Sequence, residues 1–373
     1  MKKLLVLLSL AILLPACSKP LENEAWDPAV KSALNSLIRQ EAGKDAYAVF
    51  DFDKTSIVHD ISNALMVYQI ENLCFADAPE HDFLDGVETP DTLMEGQDVT
   101  FAEMGAFLRD EYLTLKAQKE EGRSMEVIHG SPVYLDFRAR MWAFLEAMDA
   151  TFGEWVSYCW MPGLLTGMTE DEARGVVRAA IRQEYGLEKL KVEEWTSPDG
   201  RISATVERGI WMSDAMKELY RALVRKGITP YVCSASLEII VEELACDPVL
   251  GPGLPREQVF GLRFVPEEPL QARFDPAYPQ PIGPGKVECI KTFMAPAHGG
   301  SAPVLVGGDS NGDVPMLTAF PETRKGLVID VGRKPETPVG QLAAQARSGH
   351  NQGRFLLQPA FAKADGAVEG GGI

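Results

Sequence analysis

Cysteine and histidine are scarce in this chain, at six and five in 373 residues. After Cys17 the cysteines are Cys74, Cys159, Cys233, Cys246 and Cys289; no two share a Cys-x-x-Cys spacing and the histidines are scattered, which excludes a zinc cluster built from them. An odd number cannot all pair in an oxidising space, and a bridge such as Cys74–Cys159 is one open choice. Basic residues are also short, with 36 Lys and Arg against 54 Asp and Glu, a net charge of −18. Nucleic acid is thereby excluded as a partner, because phosphate backbones are bound through lysine and arginine. The acidity either favours cationic ligands or serves solubility. Beyond the first residues, no apolar run reaches membrane-spanning length, and there is no internal repeat.

The start of the chain carries a compartment signal. Lys2 and Lys3 precede an apolar segment, Leu4 to Leu14, that is too short to span a bilayer comfortably. Leu14-Pro15-Ala16-Cys17 then closes it and resembles a bacterial lipobox, in which the cysteine is acylated. Residues 1–16 are expected to be a lipoprotein signal peptide, with Cys17 the lipid attachment point. Several acyl chains on one cysteine hold a protein durably at a membrane. Ser18 after the cysteine implies sorting to the periplasmic face of an outer membrane.

Residues 17–45 read as a tether and a helix through Val30, Leu34 and Leu37. Short, continuously apolar strands follow at Ala46–Phe50, Thr229–Cys233, Pro303–Val306 and Gly326–Val331, the pattern of strands buried on both faces of a parallel sheet. Helical patterns separate the later strands: one after Ser213, an N-cap residue, one over Ser236–Cys246, and one over Lys286–Met294. Strand alternating with helix predicts a doubly wound α/β sheet with ligands at the carboxyl ends of its strands. The stretch 59–209 interrupts the series with helical patterns and a hairpin signal at Ser197-Pro198-Asp199-Gly200, and reads as an inserted, mostly helical cap. The core is then 46–58 plus 210–335, and 336–373 reads as a polar C-terminal tail, disordered over Gly366–Ile373.

Chemistry-bearing residues fall at those strand ends. Asp51-Phe52-Asp53-Lys54-Thr55 ends the first strand, and two carboxylates one residue apart can flank a metal ion. A carboxylate attacks phosphorus when cations neutralise the phosphoryl oxygens, and a second carboxyl group can protonate the leaving oxygen. Taken alone, this is equally an acidic turn capping a helix. Ser234 ends the second strand, where its hydroxyl and the Ala235 N–H could hold a phosphoryl oxygen or simply cap a helix. Lys286 opens a helix, against the helix dipole, as an anionic ligand would favour; a solvated lysine is the bland reading. Gly307-Gly308-Asp309-Ser310-Asn311-Gly312-Asp313 offers two carboxylates of the hard-oxygen kind that suits Mg²⁺, or an ordinary surface turn.

Four such features in this order resemble the haloacid dehalogenase superfamily, whose motifs are Asp-x-Asp-x-Thr, a Ser or Thr, a Lys and Gly-Asp-x-x-x-Asp. The resemblance covers about half the chain and implies a Rossmann-like core with a cap between the first two motifs. It also implies roles. Asp51 is the nucleophile and a metal ligand. Asp53 is the general acid/base and lends its main-chain carbonyl to the metal. Thr55 steadies the loop, Ser234, Ala235 and Lys286 hold the phosphoryl group, and Asp309 and Asp313 bind Mg²⁺, Asp313 directly or through water. Dehalogenases of the superfamily lack the second aspartate, so Asp53 favours phosphoryl transfer. Asp-Lys-Thr is shared with P-type ion pumps, but Ser56 and the lack of membrane spans set this chain apart.

The long cap is similar to the phosphoserine phosphatase branch, and Asp51–Leu65 with Gly285–Glu288 to secreted phosphorylcholine phosphatase-like proteins. That branch places Asn just before its last Asp, whereas here Gly312 stands there and Asn311 one earlier. In the branch an acidic residue at the offset of Asp60 faces an ammonium group, so Asp60 is either a selector of cationic substrates or a helix cap. Trp142, Trp155, Tyr158 and Trp160 are either an aromatic cage for a quaternary ammonium or plain core. The expected activity is Mg²⁺-dependent hydrolysis of a small phosphomonoester such as phosphocholine, phosphoethanolamine or phosphoserine, through an aspartyl-phosphate. A phosphotransferase of the same fold and a non-catalytic lipid-anchored binding protein are the alternatives.

Overall fold

The computed structural model describes residues 20–75, 83–84, 87, 89–187, 189–349 and 353–361. The expected signal peptide, the lipidation site Cys17 and the segment Gly366–Ile373 lie outside the described residues.

Among the described residues, eight strands form two sheets. They are β1 (Tyr47–Phe50), β2 (Lys191–Thr196), β3 (Ser203–Arg208), β4 (Thr229–Leu237), β5 (Val259–Leu262), β6 (Leu305–Gly308), β7 (Lys325–Asp330) and β8 (Phe355–Pro359). The larger sheet is wholly parallel, in the order β5-β4-β1-β6-β7-β8. Strand β1 lies inside it, with Val49 opposite both Tyr231 of β4 and Val306 of β6. All of Tyr47–Phe50 is buried, as a strand covered on both faces requires. This is the doubly wound, Rossmann-like α/β core that the strand pattern predicted.

The helices in chain order begin with α1 (Pro28–Glu41), α2 (Ile61–Asn72), α3 (Phe101–Glu120), α4 (Met125–His129) and α5 (Pro132–Phe152). Next come α6 (Glu154–Gly163), α7 (Glu170–Tyr185), α8 (Asp214–Arg225), α9 (Glu238–Ala245) and α10 (Pro284–Cys289). Ser213 caps α8, its hydroxyl accepting from the Met216 N–H. Helices α2–α7 and the antiparallel hairpin β2–β3 all lie between β1 and α8 in sequence and add no strand to the large sheet. Most of them share a separate hydrophobic cluster with Phe101, Phe137, Trp142, Trp160 and Trp195. Helix α2 splices the two clusters: Ile61 and Leu65 pack with the sheet, Met66 and Ile70 with the inserted segment. Helix α7 packs on the sheet side through Val177 and Ile181. Its buried Arg174 meets Glu242 at 2.6 Å and Glu243 at 2.9 Å, both on α9. The two connections to the core run side by side, with Val58 bridging Trp211 and His59 Nδ1 2.9 Å from the Gly209 carbonyl.

Four features depart from the sequence expectations. The stretch after 335 is not a polar tail throughout, because a helix at Pro338–Ser348 and β8 complete the core. Phe355-Leu356-Leu357 is a short apolar run, enough for an edge strand, and its polar flanks hid it. Strand β5, whose apolar run Gly261 interrupts, was also unanticipated. Strand β4 does not stop at Cys233 but runs to Leu237 through a register shift, so α9 starts only at Glu238. Cys74 and Cys159 are both free thiols.

Buried Gln358 of β8 ties the two ends of the described chain together. Its side chain accepts from the Asp27 N–H at 2.9 Å and donates to the Ala25 carbonyl at 3.1 Å. Gln358→Leu strands both groups and is expected to cost about 2 kcal/mol, read as a lowered urea midpoint at unchanged slope.

Candidate active site

The first carboxylate is placed by β1. The Asp51 N–H donates to the Gly307 carbonyl at 3.0 Å, fixing the strand end between β4 and β6. The chain then folds back on itself. The Phe52 carbonyl accepts from the N–H groups of Ser56 at 2.8 Å and Ile57 at 3.0 Å, and Lys54 adopts a left-handed backbone, φ 56°. This turn points Asp53 to the same side as Asp51, where one Asp53 oxygen accepts from the Ile61 N–H at 2.7 Å. The other accepts from Ser236 Oγ at 2.8 Å and from Ser234 Oγ at 3.4 Å.

Lys286 enters from the first turn of α10 and is 2% exposed. Its ammonium donates to Asp51 Oδ1 and to Asp313 Oδ1, both at 2.6 Å. The other oxygen of Asp313 accepts from the N–H groups of Asp309 and Ser310 and from the Ser310 hydroxyl, at 2.9–3.0 Å. Gly308 makes that fold-back possible, since a Cβ there would lie 2.4 Å from the Asp313 Cβ. Asp309 accepts from Thr55 Oγ1 at 3.1 Å and from Arg333 Nη2 at 2.7 Å.

Asp51, Asp53, Lys286 and Asp309 form the floor of a cavity of about 450 Å³, with Asp313, Thr55 and Ser234 behind them. Asp51, Asp53, Lys286, Asp309 and Ala235 face it from the core, and Asp60, Trp142, Glu146, Tyr158 and Glu207 face it from the inserted segment. Burial, then repulsion from Asp313, pushes the Asp51 carboxyl well above the usual carboxylate range. Burial, then Asp60, pushes Asp53 up to about 8 against the Ile61 and Ser236 hydrogen bonds. Asp309 rises to about 6 through burial and Asp313, against Arg333 and Thr55. Burial pulls the Lys286 ammonium down, but the Asp313 and Asp51 carboxylates outweigh it and hold its pKa well above the usual lysine range.

A divalent ion fits this donor set. Ligand oxygens of the buried Asp51, Asp309 and Asp313 lie within 4.8 Å of one another. They are hard donors, and the raised carboxyl groups mark a surplus of negative charge that a small dication would relieve. Asp313 already accepts from four donors, which suits it better to contact through water than to direct ligation.

Of the residues singled out in the sequence, Asp51, Asp53, Thr55, Ser234, Lys286, Asp309 and Asp313 converge here. Ala235 reaches the cavity from within β4, not from a helix mouth as expected. Asp60 is a helix cap, accepting from the Ser62 and Asn63 N–H groups at 2.8 and 3.0 Å, and it also borders the cavity. The aromatic set divides. Trp142 and Tyr158 face the cavity, Trp160 donates to the Phe83 carbonyl inside the cap's core, and Trp155 is half exposed beside Phe274. Asn311, displaced by one from the branch's pattern, accepts from the Val339 N–H at 3.1 Å and so pins the C-terminal helix. Ser236, Lys54, Glu207 and Arg333 were missed. Ser236 was legible, since it lies two residues after Ser234 on the same strand face. Arg333 follows a strand end, as the other site residues do.

Sheet order and site together define a Rossmann-like α/β core that carries its polar residues at the carboxyl edge, as the haloacid dehalogenase resemblance implied. Among known proteins, the chain is 28% identical over 242 residues to phosphorylcholine phosphatase of Pseudomonas aeruginosa, a match covering 65% of this chain and 55% of that protein. It thus spans little more than half of that relative's length. In structure it is similar to a conserved protein of unknown function from Anaerococcus prevotii DSM 20548, with a TM-score of 0.80 and 28% identity, covering 90% of this chain and 94% of the other. No protein-family model matches.

Proposed function

We propose that the chain is a phosphomonoesterase in which Asp51 attacks phosphorus and Asp53 manages the proton. The carrying observation is the different company these carboxyl groups keep: Asp51 meets the Lys286 ammonium at 2.6 Å, while Asp53 meets only neutral donors, among them the Ile61 N–H and the Ser236 hydroxyl, and burial with the nearby Asp60 raises it to about 8. The Pseudomonas relative's activity supports the same reading.

Lys286 holds Asp51 Oδ1 and leaves Oδ2 as the attacking atom. Lys286 also faces the cavity, so its ammonium attracts the phosphoryl oxygens as charge builds on them. Asp53, oriented by Ile61 and Ser236, gives its proton to the departing alkoxide as the P–O bond breaks. The phosphoryl group then sits on Asp51. The same Asp53, now ionised, takes a proton from water, whose oxygen attacks phosphorus and returns Asp51 with free phosphate. Asp51, Asp309, the Asp53 carbonyl and, through water, Asp313 are the groups to hold Mg²⁺, which when bound neutralises phosphoryl charge.

The substrate alcohol meets an acidic wall. Asp60, Glu146 and Asp149 border the cavity with the Trp142 and Tyr158 rings, while Glu207 is paired with Lys54 at 3.0 Å. That wall favours an alcohol carrying an ammonium group, such as choline or ethanolamine. Anchoring through an acylated Cys17 at the periplasmic face of an outer membrane belongs to the same proposal and is supported by the N-terminal sequence.

Asp51→Asn is expected to lower kcat by about 10⁴-fold or more and to abolish phosphate incorporation in rapid-quench mass spectrometry; retained labelling would sink the nucleophile assignment. In the wild type, the proton-bearing form of Asp53 is lost as pH rises, so kcat/KM should fall through an alkaline limb near 8. Because the Ser236 hydroxyl stabilises the ionised form, Ser236→Ala should move that limb to higher pH. Asp60→Asn keeps the helix cap but removes charge. It is expected to lower kcat/KM for phosphocholine about fivefold relative to a neutral sugar phosphate. An unchanged ratio ends the role of Asp60 in selectivity.

A further inference from the structure

Arg333 has no part in the mechanism above, yet it sits on a metal-binding carboxylate. Strand β7 lies beside β6, and Gly332, at φ 80°, turns the chain so that Arg333 reaches back to the neighbouring strand end. Its Nη2 is 2.7 Å from Asp309 Oδ2, and its Nε donates to the Asp309 carbonyl at 3.3 Å. Asp309 is 2% exposed, whereas the Arg333 side chain is 43% exposed and borders the cavity. Of the other cations lining the cavity, Lys54 is paired with Glu207, and Lys286 is buried and fixed by two carboxylates. On the acidic cluster, Lys286 is therefore locked in place, whereas Arg333 is able to leave.

The charges assign that freedom a use. Asp51, Asp309 and Asp313 face the fixed charge of Lys286 and the loose charge of Arg333. A dication among the three carboxylates completes their neutralisation with Lys286 alone and makes the guanidinium surplus. A phosphoryl dianion is the ligand that such a surplus fits, and a guanidinium fork matches its oxygens.

We propose that Arg333 competes with the divalent ion for Asp309 Oδ2 and, once displaced, binds the phosphoryl group. This rests on the metal-assisted reading of the site. Competition for one oxygen is reciprocal: whatever the ion loses to Arg333, Arg333 loses to the ion.

The test is binding, with no turnover needed. Calorimetric titration of the full chain with Mg²⁺ should show Arg333→Ala binding the ion about fivefold more tightly than wild type. At saturating Mg²⁺, the same variant should bind inorganic phosphate about fivefold more weakly, and Arg333→Lys should restore much of that loss. An arginine that merely braces Asp309 predicts the opposite sign for the ion. Equal or weaker Mg²⁺ binding by Arg333→Ala overturns the competition, and unchanged phosphate affinity overturns the second role. If wild type binds neither ion, the metal-assisted reading itself falls; if it binds both and the variants match it, only this inference does.

Discussion

The Lys286 ammonium, shared between Asp51 and Asp313, is the interaction on which the site depends. It joins the end of β1 to the loop after β6 and brings in the first turn of α10, three pieces far apart in sequence. Both contacts are 2.6 Å and almost wholly buried. A buried ion pair is a weak source of net stability but a costly thing to break, so it fixes geometry more than it adds free energy. Asp313, held at its other oxygen by the N–H groups of Asp309 and Ser310, transmits that geometry to Asp309, the remaining carboxylate of the acidic cluster.

Asp53 shows how one fold makes two aspartates, two residues apart, behave differently. Asp51 faces a fixed ammonium. Asp53 faces hydroxyl and amide donors and the negative field of Asp60. Burial raises both carboxyl groups, so what separates them is their partners, an ammonium for Asp51 and neutral hydroxyl and amide donors for Asp53, as the proposed nucleophile and acid would need.

Much of this was legible in the sequence because the core strands are short and continuously apolar and their polar ends carry distinctive spacing. Asp51, Lys286 and Asp309 could be placed by order alone. What failed to show has physical reasons. Strand β8 is an edge, where a few apolar residues suffice. The end of β4 reads Ser-Ala-Ser, small polar residues that look like a turn, yet there they continue the sheet through an irregular register. Arg333 carried only the weak signal of following a strand end, because its contact with Asp309 comes from the closeness of two parallel strands and not from spacing along one. Asp60 gave two readings from sequence, and its side chain does both things they require, capping α2 and bordering the cavity.

The hydrophobic interior is divided, with one cluster on each face of the parallel sheet and a third within the inserted helices, and α2 is shared between the third and one of the sheet's clusters. Residues that lack common neighbours contribute nearly independently to free energy. Side chains on the inserted wall, such as Glu146 or Trp142, can therefore be exchanged with little disturbance to the lysine and aspartates on the floor. A fold partitioned in this way would let the proposed choice of alcohol be retuned while the floor of carboxylates and lysine stays intact.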